Sequence, residues 1–307
     1  MEQIILVSGL KKTFGKKPVL SGISFDVNRG EVFGFLGPNG AGKTTTMRIL
    51  LGLLKPDSGK AFVFGEDLGV SDSSRSRVGV LMENNGLFEN FTPLENLEYY
   101  AGIYGVPDAG KRIEYLLELT DLEAEANAKV GSFSTGMKRK LGIARAILHS
   151  PEVLFLDEPT SALDPQAQKM VRDLIQHLAN DESMTVFLSS HNLDEVQKIC
   201  SRVAILHGGE IKALDSVENL RRGSEGRRVR IKLSDVSKTD KAFSLIAGNP
   251  EYTGFQETGG GFSVNLHSGS ASPLICSLCS AGVGIEEVLT DKRSLEDIYI
   301  EIMKEEA

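Results

Sequence analysis

The chain has 307 residues, 41% of them hydrophobic and 25% charged, with a formal net charge of −8. At roughly 150 residues per domain this length suggests two domains, each able to bury a core without disulfide staples. The acidic balance argues against a dedicated nucleic-acid binder, which needs a basic face to neutralise phosphates.

No apolar stretch approaches the roughly 20 residues of a spanning helix. The start, Met1 to Leu6, meets charge again at Lys11 and Lys12, too soon for a signal peptide's apolar region. A cytosolic location is expected, with any membrane-spanning part supplied by another chain.

Ile23, Phe25 and Val27 alternate as in a half-buried strand. Glu31–Leu36 is an apolar run suited to a strand covered on both faces. It leads into Gly37-Pro38-Asn39-Gly40-Ala41-Gly42-Lys43-Thr44, and a helix with Met47, Leu50, Leu51 and Leu54 on one face follows. Strand-sized runs recur at Val78–Met82, Val153–Leu156, Thr185–Leu188 and Val203–Leu206. Between them, Thr92-Pro93-Leu94-Glu95 and Asp164-Pro165 start helices, and Asn192 with Glu195 can cap another. His207-Gly208-Gly209-Glu210 predicts a tight hairpin turn.

Arg221–Arg230 is polar and basic and predicts a solvated linker, although basic clusters beside a membrane can touch anionic headgroups. Beyond it the order is strand (Val229, Ile231, Leu233), helix (Ala242–Ala247), two strands about Gly259-Gly260-Gly261, helix (Leu274–Leu278) and strand (Ile285–Leu289). That is the ferredoxin-like split pattern. A last helix carries Leu295, Ile298, Ile302 and Met303. Cys276 and Cys279 form a C-x-x-C with no second pair or nearby His, so they are expected to be small helical residues.

Gly37–Thr44 fits G-x-x-x-x-G-K-[ST], in which glycines let backbone N–H groups wrap phosphate at a helix N-terminus. Lys43 would reach the β- and γ-phosphates and Thr44 would ligate Mg²⁺. Val153-Leu154-Phe155-Leu156 brings Asp157 and Glu158 to a strand end, where ligands of open α/β sheets bind. Asp157 would hold Mg²⁺, and Glu158 would orient the attacking water.

Phe133-Ser134-Thr135-Gly136-Met137-Lys138-Arg139-Lys140, opening a helix shortly before that strand, resembles the signature loop of the ATP-binding cassette (ABC) family. Thr135 departs from the commonest form. The resemblance covers Ile4 to Leu220 and implies an ATPase subunit of a membrane transporter. It implies a homodimer in which Ser134, Thr135, Gly136 and Met137 face the partner's ATP. It also assigns Gly37, Pro38, Asn39, Gly40, Ala41, Gly42, Lys43, Thr44 and Thr45 to phosphate binding. Ser161-Ala162-Leu163-Asp164 resembles the D-loop, His191 the switch histidine at the γ-phosphate, and Phe14 the aromatic that stacks on adenine.

Where the family usually has a Gln reaching Mg²⁺ and water, this chain has Glu83. This resembles cassettes of peptide-antibiotic immunity and resistance exporters, as do Leu87–Thr92, Tyr99 and Tyr100, in the groove that takes a permease's coupling helix. Ser294–Tyr299 resembles the end of drug-type exporter cassettes with an extra C-terminal domain.

The expected fold is an α/β P-loop NTPase cassette, with a RecA-like core, an antiparallel β subdomain and a helical subdomain, plus a small ferredoxin-like α+β domain. The expected boundaries are 1–220 for the cassette (helical subdomain about 84–150), 221–228 for the linker and 229–307 for the accessory domain. ATP and Mg²⁺ are the implied cofactors. A separate permease is the implied partner at the cytoplasmic face of the membrane, with no nucleic acid. The alternatives are a soluble ABC ATPase acting on ribosomes or DNA, and a P-loop kinase or GTPase, which would lack the Ser134–Lys140 segment and His191.

Overall fold

The computed structural model describes residues 2–304, apart from 72, 182, 223–226, 268–269 and 292–293. They form two compact units, Met1–Ser216 and Val217–Ala307.

The first unit opens with β1 (Gln3–Phe14) and β2 (Lys17–Asn28), followed by β3 (Val32–Leu36), α1 (Lys43–Leu50), β4 (Ser58–Val63) and β5 (Val78–Leu81). Then come α2 (Pro93–Tyr104), α3 (Ala109–Leu119), α4 (Thr135–Ile147), β6 (Val153–Asp157), α5 (Pro165–Asn180), β7 (Thr185–Ser190), α6 (Leu193–Ile199), β8 (Arg202–His207) and β9 (Glu210–Ser216). A six-stranded sheet has the order β5-β6-β7-β3-β8-β9, parallel except for the antiparallel β9 at its edge. A second, antiparallel sheet has the order β2-β1-β4.

Continuous apolar runs make the central strands: every residue of β3, β6 and β7 is buried. Phe25 of β2 stacks on Phe33 and packs on Phe35 of β3, with ring centroids 5.6 and 5.2 Å apart, so aromatic packing joins the two sheets. Leu36 pairs in register with Ser190, and Asp157 with Ser189. The exits of β3, β6 and β7 therefore lie side by side at one end of the sheet, which is where α/β sheets bind ligands.

Helices α2, α3 and α4 form the helical part. Thr92 and Glu95 make a full capping box: Glu95 N–H donates to Thr92 Oγ1, and Thr92 N–H to Glu95 Oε2. The capping expected of Asn192 and Glu195 is only half present. Asn192 accepts from Glu195 N–H at 3.2 Å, but the Glu195 side chain is buried and accepts from Thr160 Oγ1 instead. The hairpin at Gly208-Gly209 forms as expected, with both residues at positive φ.

The second unit has α7 (Val217–Arg222), β10 (Arg227–Leu233), α8 (Thr239–Ile246), β11 (Tyr252–Thr258), β12 (Gly261–Leu266), α9 (Ser272–Ser280), β13 (Ile285–Asp291) and α10 (Leu295–Lys304). Its sheet order, β11-β12-β10-β13, is antiparallel throughout and is that of a ferredoxin-like split motif. Val229, Ile231, Leu233, Phe262, Val264, Leu274 and Leu278 fill its core. Cys276 and Cys279 lie on the exposed side of α9 as free thiols.

The segment read as a linker is shorter than its composition suggests. Arg221 and Arg222 end α7, and Arg227 begins β10; the intervening 223–226 lie outside the described residues. Charge misled here because alternating arginines can line a strand's outer face while Val229 and Ile231 fill the inner one.

Candidate nucleotide site

The loop Gly37–Gly42 joins β3 to α1 with its backbone packed tightly on two strands. A Cβ at Gly37 would stand 2.4 Å from the Leu206 carbonyl oxygen. Gly42 has φ 114°, and a Cβ there would stand 2.7 Å from Leu20 Cδ2. These two positions admit only glycine, and the turn they make ends at the N-terminus of α1, a ready anion site.

Lys43 is 6% exposed. Its Nζ donates to the carbonyls of Gly37 (2.7 Å) and Pro38 (3.3 Å) and lies 3.1 Å from Glu158 Oε1. Thr44 Oγ1 donates to Asp157 Oδ2 at 3.0 Å. Asp157 is buried, and its Oδ1 accepts from Ser189 Oγ. The Thr44–Asp157 pair is a hydroxyl beside a carboxylate, hard oxygens of the kind Mg²⁺ prefers.

Glu158 adopts a left-handed backbone, φ 49°, uncommon for a residue with a side chain. Its N–H donates to the carbonyl and hydroxyl of Ser189, which hold the turn in place. Its Oε2 lies 2.8 Å from His191 Nδ1. A carboxylate only accepts, so Nδ1 carries the hydrogen and Nε2 is left for another partner. Lys43, Thr44, Asp157, Glu158 and His191 thus converge, drawn from three neighbouring strand exits.

Ser134 is the exposed N-cap of α4, accepting from Met137 N–H at 3.2 Å with its own hydroxyl hydrogen free to donate outward. Thr135 is exposed as well, whereas Gly136 packs so that a Cβ would stand 2.8 Å from Ala167 Cβ on α5. In the stretch after Glu158, Ala162 has φ 60°, Leu163 is buried, and Asp164 caps α5 by accepting from Gln166 and Ala167 N–H. Phe14 ends β1 half exposed, with Lys12 Nζ 5.6 Å from its ring centroid, so it is no core residue.

Glu83 stands exposed just beyond β5, and among the described residues no hydrogen bond joins it to Thr44 or Asp157. An aromatic run lies nearby: Phe88 packs on Phe91, Tyr99 and Tyr100; Tyr100 stacks on Tyr104; and Tyr104 reaches His149, whose Nε2 is 3.1 Å from the Val78 carbonyl. Phe88, Phe91, Tyr99 and Tyr104 are exposed.

Motif reading missed several residues of this site. Ser189 could have been found as a hydroxyl ending an apolar strand just before His191. Glu195 and Arg139 are charged residues on the apolar faces of α6 and α4. Burial raises the Glu195 carboxyl above its usual range, opposed first by the Thr160 hydroxyl. Burial lowers the Arg139 guanidinium, while Asp157, Glu83 and Glu158 pull it back up.

A family model described as ABC transporter matches residues 20–161. The chain is 36% identical over 304 residues to the bacitracin transport ATP-binding protein BcrA of Bacillus licheniformis, covering 99% of this chain and 98% of that one. It is 37% identical over 220 residues to the linearmycin resistance ATP-binding protein LnrL of Bacillus subtilis (strain 168), covering 71% and 70%. Among solved structures, an ATP-binding subunit of an ABC transporter matches with a TM-score of 0.65 at 31% identity, covering 71% of this chain and 92% of that chain.

Proposed function

The chain belongs to the ABC transporter family, as a subunit that binds ATP and couples its hydrolysis to transmembrane transport, and on that premise we propose that it powers export of a peptide antibiotic or similar drug. The observation that carries the export reading is the end-to-end similarity to the bacitracin transport protein, which continues through the second unit. Nothing favours action on ribosomes or DNA.

In this reading Gly37–Thr45 cradle the triphosphate, Lys43 binds its terminal oxygens, and Phe14 stacks on adenine. Thr44 and Asp157 would hold Mg²⁺, and the Glu83 carboxylate, just beyond β5, is a third candidate oxygen donor. When bound, Mg²⁺ neutralises charge on the β- and γ-phosphates. Glu158 accepts a proton from the attacking water and is aimed by His191 and by its own constrained backbone. His191 contacts the γ-phosphate. Catalysis is positioning plus charge stabilisation rather than covalent chemistry.

At the N-terminus of α4, Ser134 and Thr135 are exposed, and among the described residues the Ser134 hydroxyl accepts only from Met137 N–H, which leaves it able to meet an anion from outside. That supports a homodimer in which each signature loop closes on the partner's ATP, with Ser161–Asp164 at the same junction. ATP-driven closure then moves a separate permease seated on the exposed aromatic run, at the cytoplasmic face of the membrane. No described helix is long and apolar enough to cross one.

Co-expressing the chain with its neighbouring permease in an antibiotic-sensitive host tests this. Raised tolerance to bacitracin or a related peptide, lost with Glu158→Gln, is expected. Unchanged tolerance to every peptide antibiotic tried, despite a copurifying permease, would overturn the cargo class.

A further inference from the structure

Arg139 is a buried cation that the phosphate chemistry above leaves unused. It lies one turn into α4 from the Ser134 cap and is 5% exposed. Its Nη1 donates to the Met82 carbonyl at 3.3 Å, and its Nε has no hydrogen-bond partner. A buried guanidinium with unfilled donors is costly unless nearby negative charge compensates it. β5 pairs with β6, Leu81 opposite Leu156, so the Met82 carbonyl that Arg139 holds lies beside the strand exit carrying Asp157 and Glu158; these two carboxylates and Glu83 favour the charged guanidinium. Asp157 ends β6, Glu158 follows it, and Met82 directly precedes Glu83 just beyond β5.

A second clasp repeats the arrangement two turns along α4, where Arg145 Nη2 donates to the Val80 carbonyl at 2.8 Å. Between the clasps, Gly142 lets the helix lie so close that a Cβ would stand 2.8 Å from Leu81 Cδ1. The helix that begins at Ser134 and the strand exit that carries Glu83 are therefore fastened together.

Resting on the reading that Thr44 and Asp157 hold Mg²⁺, we propose that Arg139 is a positioning residue, a second counter-cation beside Lys43 for the carboxylate cluster of Glu83, Asp157 and Glu158, which sets how much Mg²⁺ the site demands. Two cations that share one set of carboxylates weaken each other's hold. Arg139 thereby keeps the carboxylates compensated when Mg²⁺ is scarce, and it raises the Mg²⁺ concentration at which nucleotide is bound tightly.

The test is Mg²⁺-dependent binding of a fluorescent, non-hydrolysable ATP analogue to the purified full-length chain, with thermal melts in parallel. Arg139→Met should lower the half-saturating Mg²⁺ concentration by about 3–10-fold, the order expected for one unit charge near a partly screened site. It should also lower the melting temperature, and Mg²⁺ with the analogue should restore it. Arg139→Lys should stay within about twofold of the native chain, because the charge is kept. Arg139→Met with Glu83→Gln should return toward the native requirement. Where Arg139→Met is insoluble, Arg139→Gln carries the same expectation, since its amide still reaches the Met82 carbonyl. Melting temperatures lowered alike in the Lys and Met variants, with no movement of the Mg²⁺ midpoint, would mean a merely structural residue and overturn the proposal. Asp157→Asn separates the two readings. If it leaves the Mg²⁺ requirement intact, the metal reading itself falls; if it abolishes the requirement while Arg139→Met moves nothing, only the Arg139 proposal falls.

Discussion

The Lys43 ammonium stands 3.1 Å from Glu158 Oε1, so the cation of the phosphate loop and the carboxylate beside the metal pair form an ion pair across two strand exits. A phosphate entering the loop competes with this carboxylate and with two carbonyls for the same ammonium. In the proposed mechanism, binding of the triphosphate would thus free Glu158 for water.

Glu158→Gln should retain ATP binding and lower turnover by about 10²–10⁴-fold, the span typical of losing a general base. The variant should accumulate as an ATP-bound dimer, visible by size-exclusion chromatography. Near-native hydrolysis would remove Glu158 from the role.

Ser134→Ala should cut hydrolysis by about tenfold or more, while leaving the affinity of a single chain for ATP unchanged, because the hydroxyl points outward. Ser134 is a cleaner probe than Gly136, where any side chain also pushes on Ala167 and shifts α5. Equal loss of ATP binding by the isolated chain would sink the shared-site model.

Glu83→Gln removes a charge with little change of shape, just beyond the end of β5 and ahead of the aromatic run in the chain. The ratio of cargo-stimulated to basal hydrolysis, measured in membranes with the cognate permease, should fall. A ratio equal to the native one would make Glu83 a tolerated substitute for the usual Gln.

Glu195 gives a pH signature. Its folded pKa lies above that of the unfolded chain, owing first to burial. Its contribution to stability is therefore complete below the unfolded pKa and is lost as pH rises through the folded one. Glu195→Gln removes the buried charge, so the variant's melting temperature should match the native at about pH 4. It should exceed the native value near pH 7.5, where the native carboxyl would be ionised while buried. A gap that narrows as pH rises would contradict this sign.

A chain ended at Ser216 should stay soluble and bind ATP, because each unit has its own hydrophobic core. Insolubility even with ATP would mean that the two cores depend on each other.

The chemistry-bearing part of the fold was legible because it lies in contiguous segments: apolar β3 running into Gly37–Thr44, β6 ending in Asp157-Glu158, and β7 ending before His191. The N-terminal sheet was harder to read. The pairing of β1 with β2 shifts register between Val7 and Leu10, which breaks the period-2 pattern, and the first half of β4, Ser58–Lys60, is exposed. Arg139 and Glu195 were out of reach of local pattern. The Thr160 hydroxyl that meets Glu195 lies 35 residues away, and only the folded sheet brings them together. Phe14 could be narrowed by exposure alone, since a half-exposed ring at a strand end has no core to fill.

Phe88, Phe91, Tyr99 and Tyr104 of the aromatic run are solvent-facing, and at one end Tyr104 rests on His149, which reaches the Val78 carbonyl of β5. Engine and coupling are thus separable parts. In the proposed docking, exchanging Phe88, Phe91 or Tyr99 would rewrite the address of the cassette without altering a residue of β3, β6 or β7. A library confined to those few positions is the shortest route to retargeting this motor to a foreign permease.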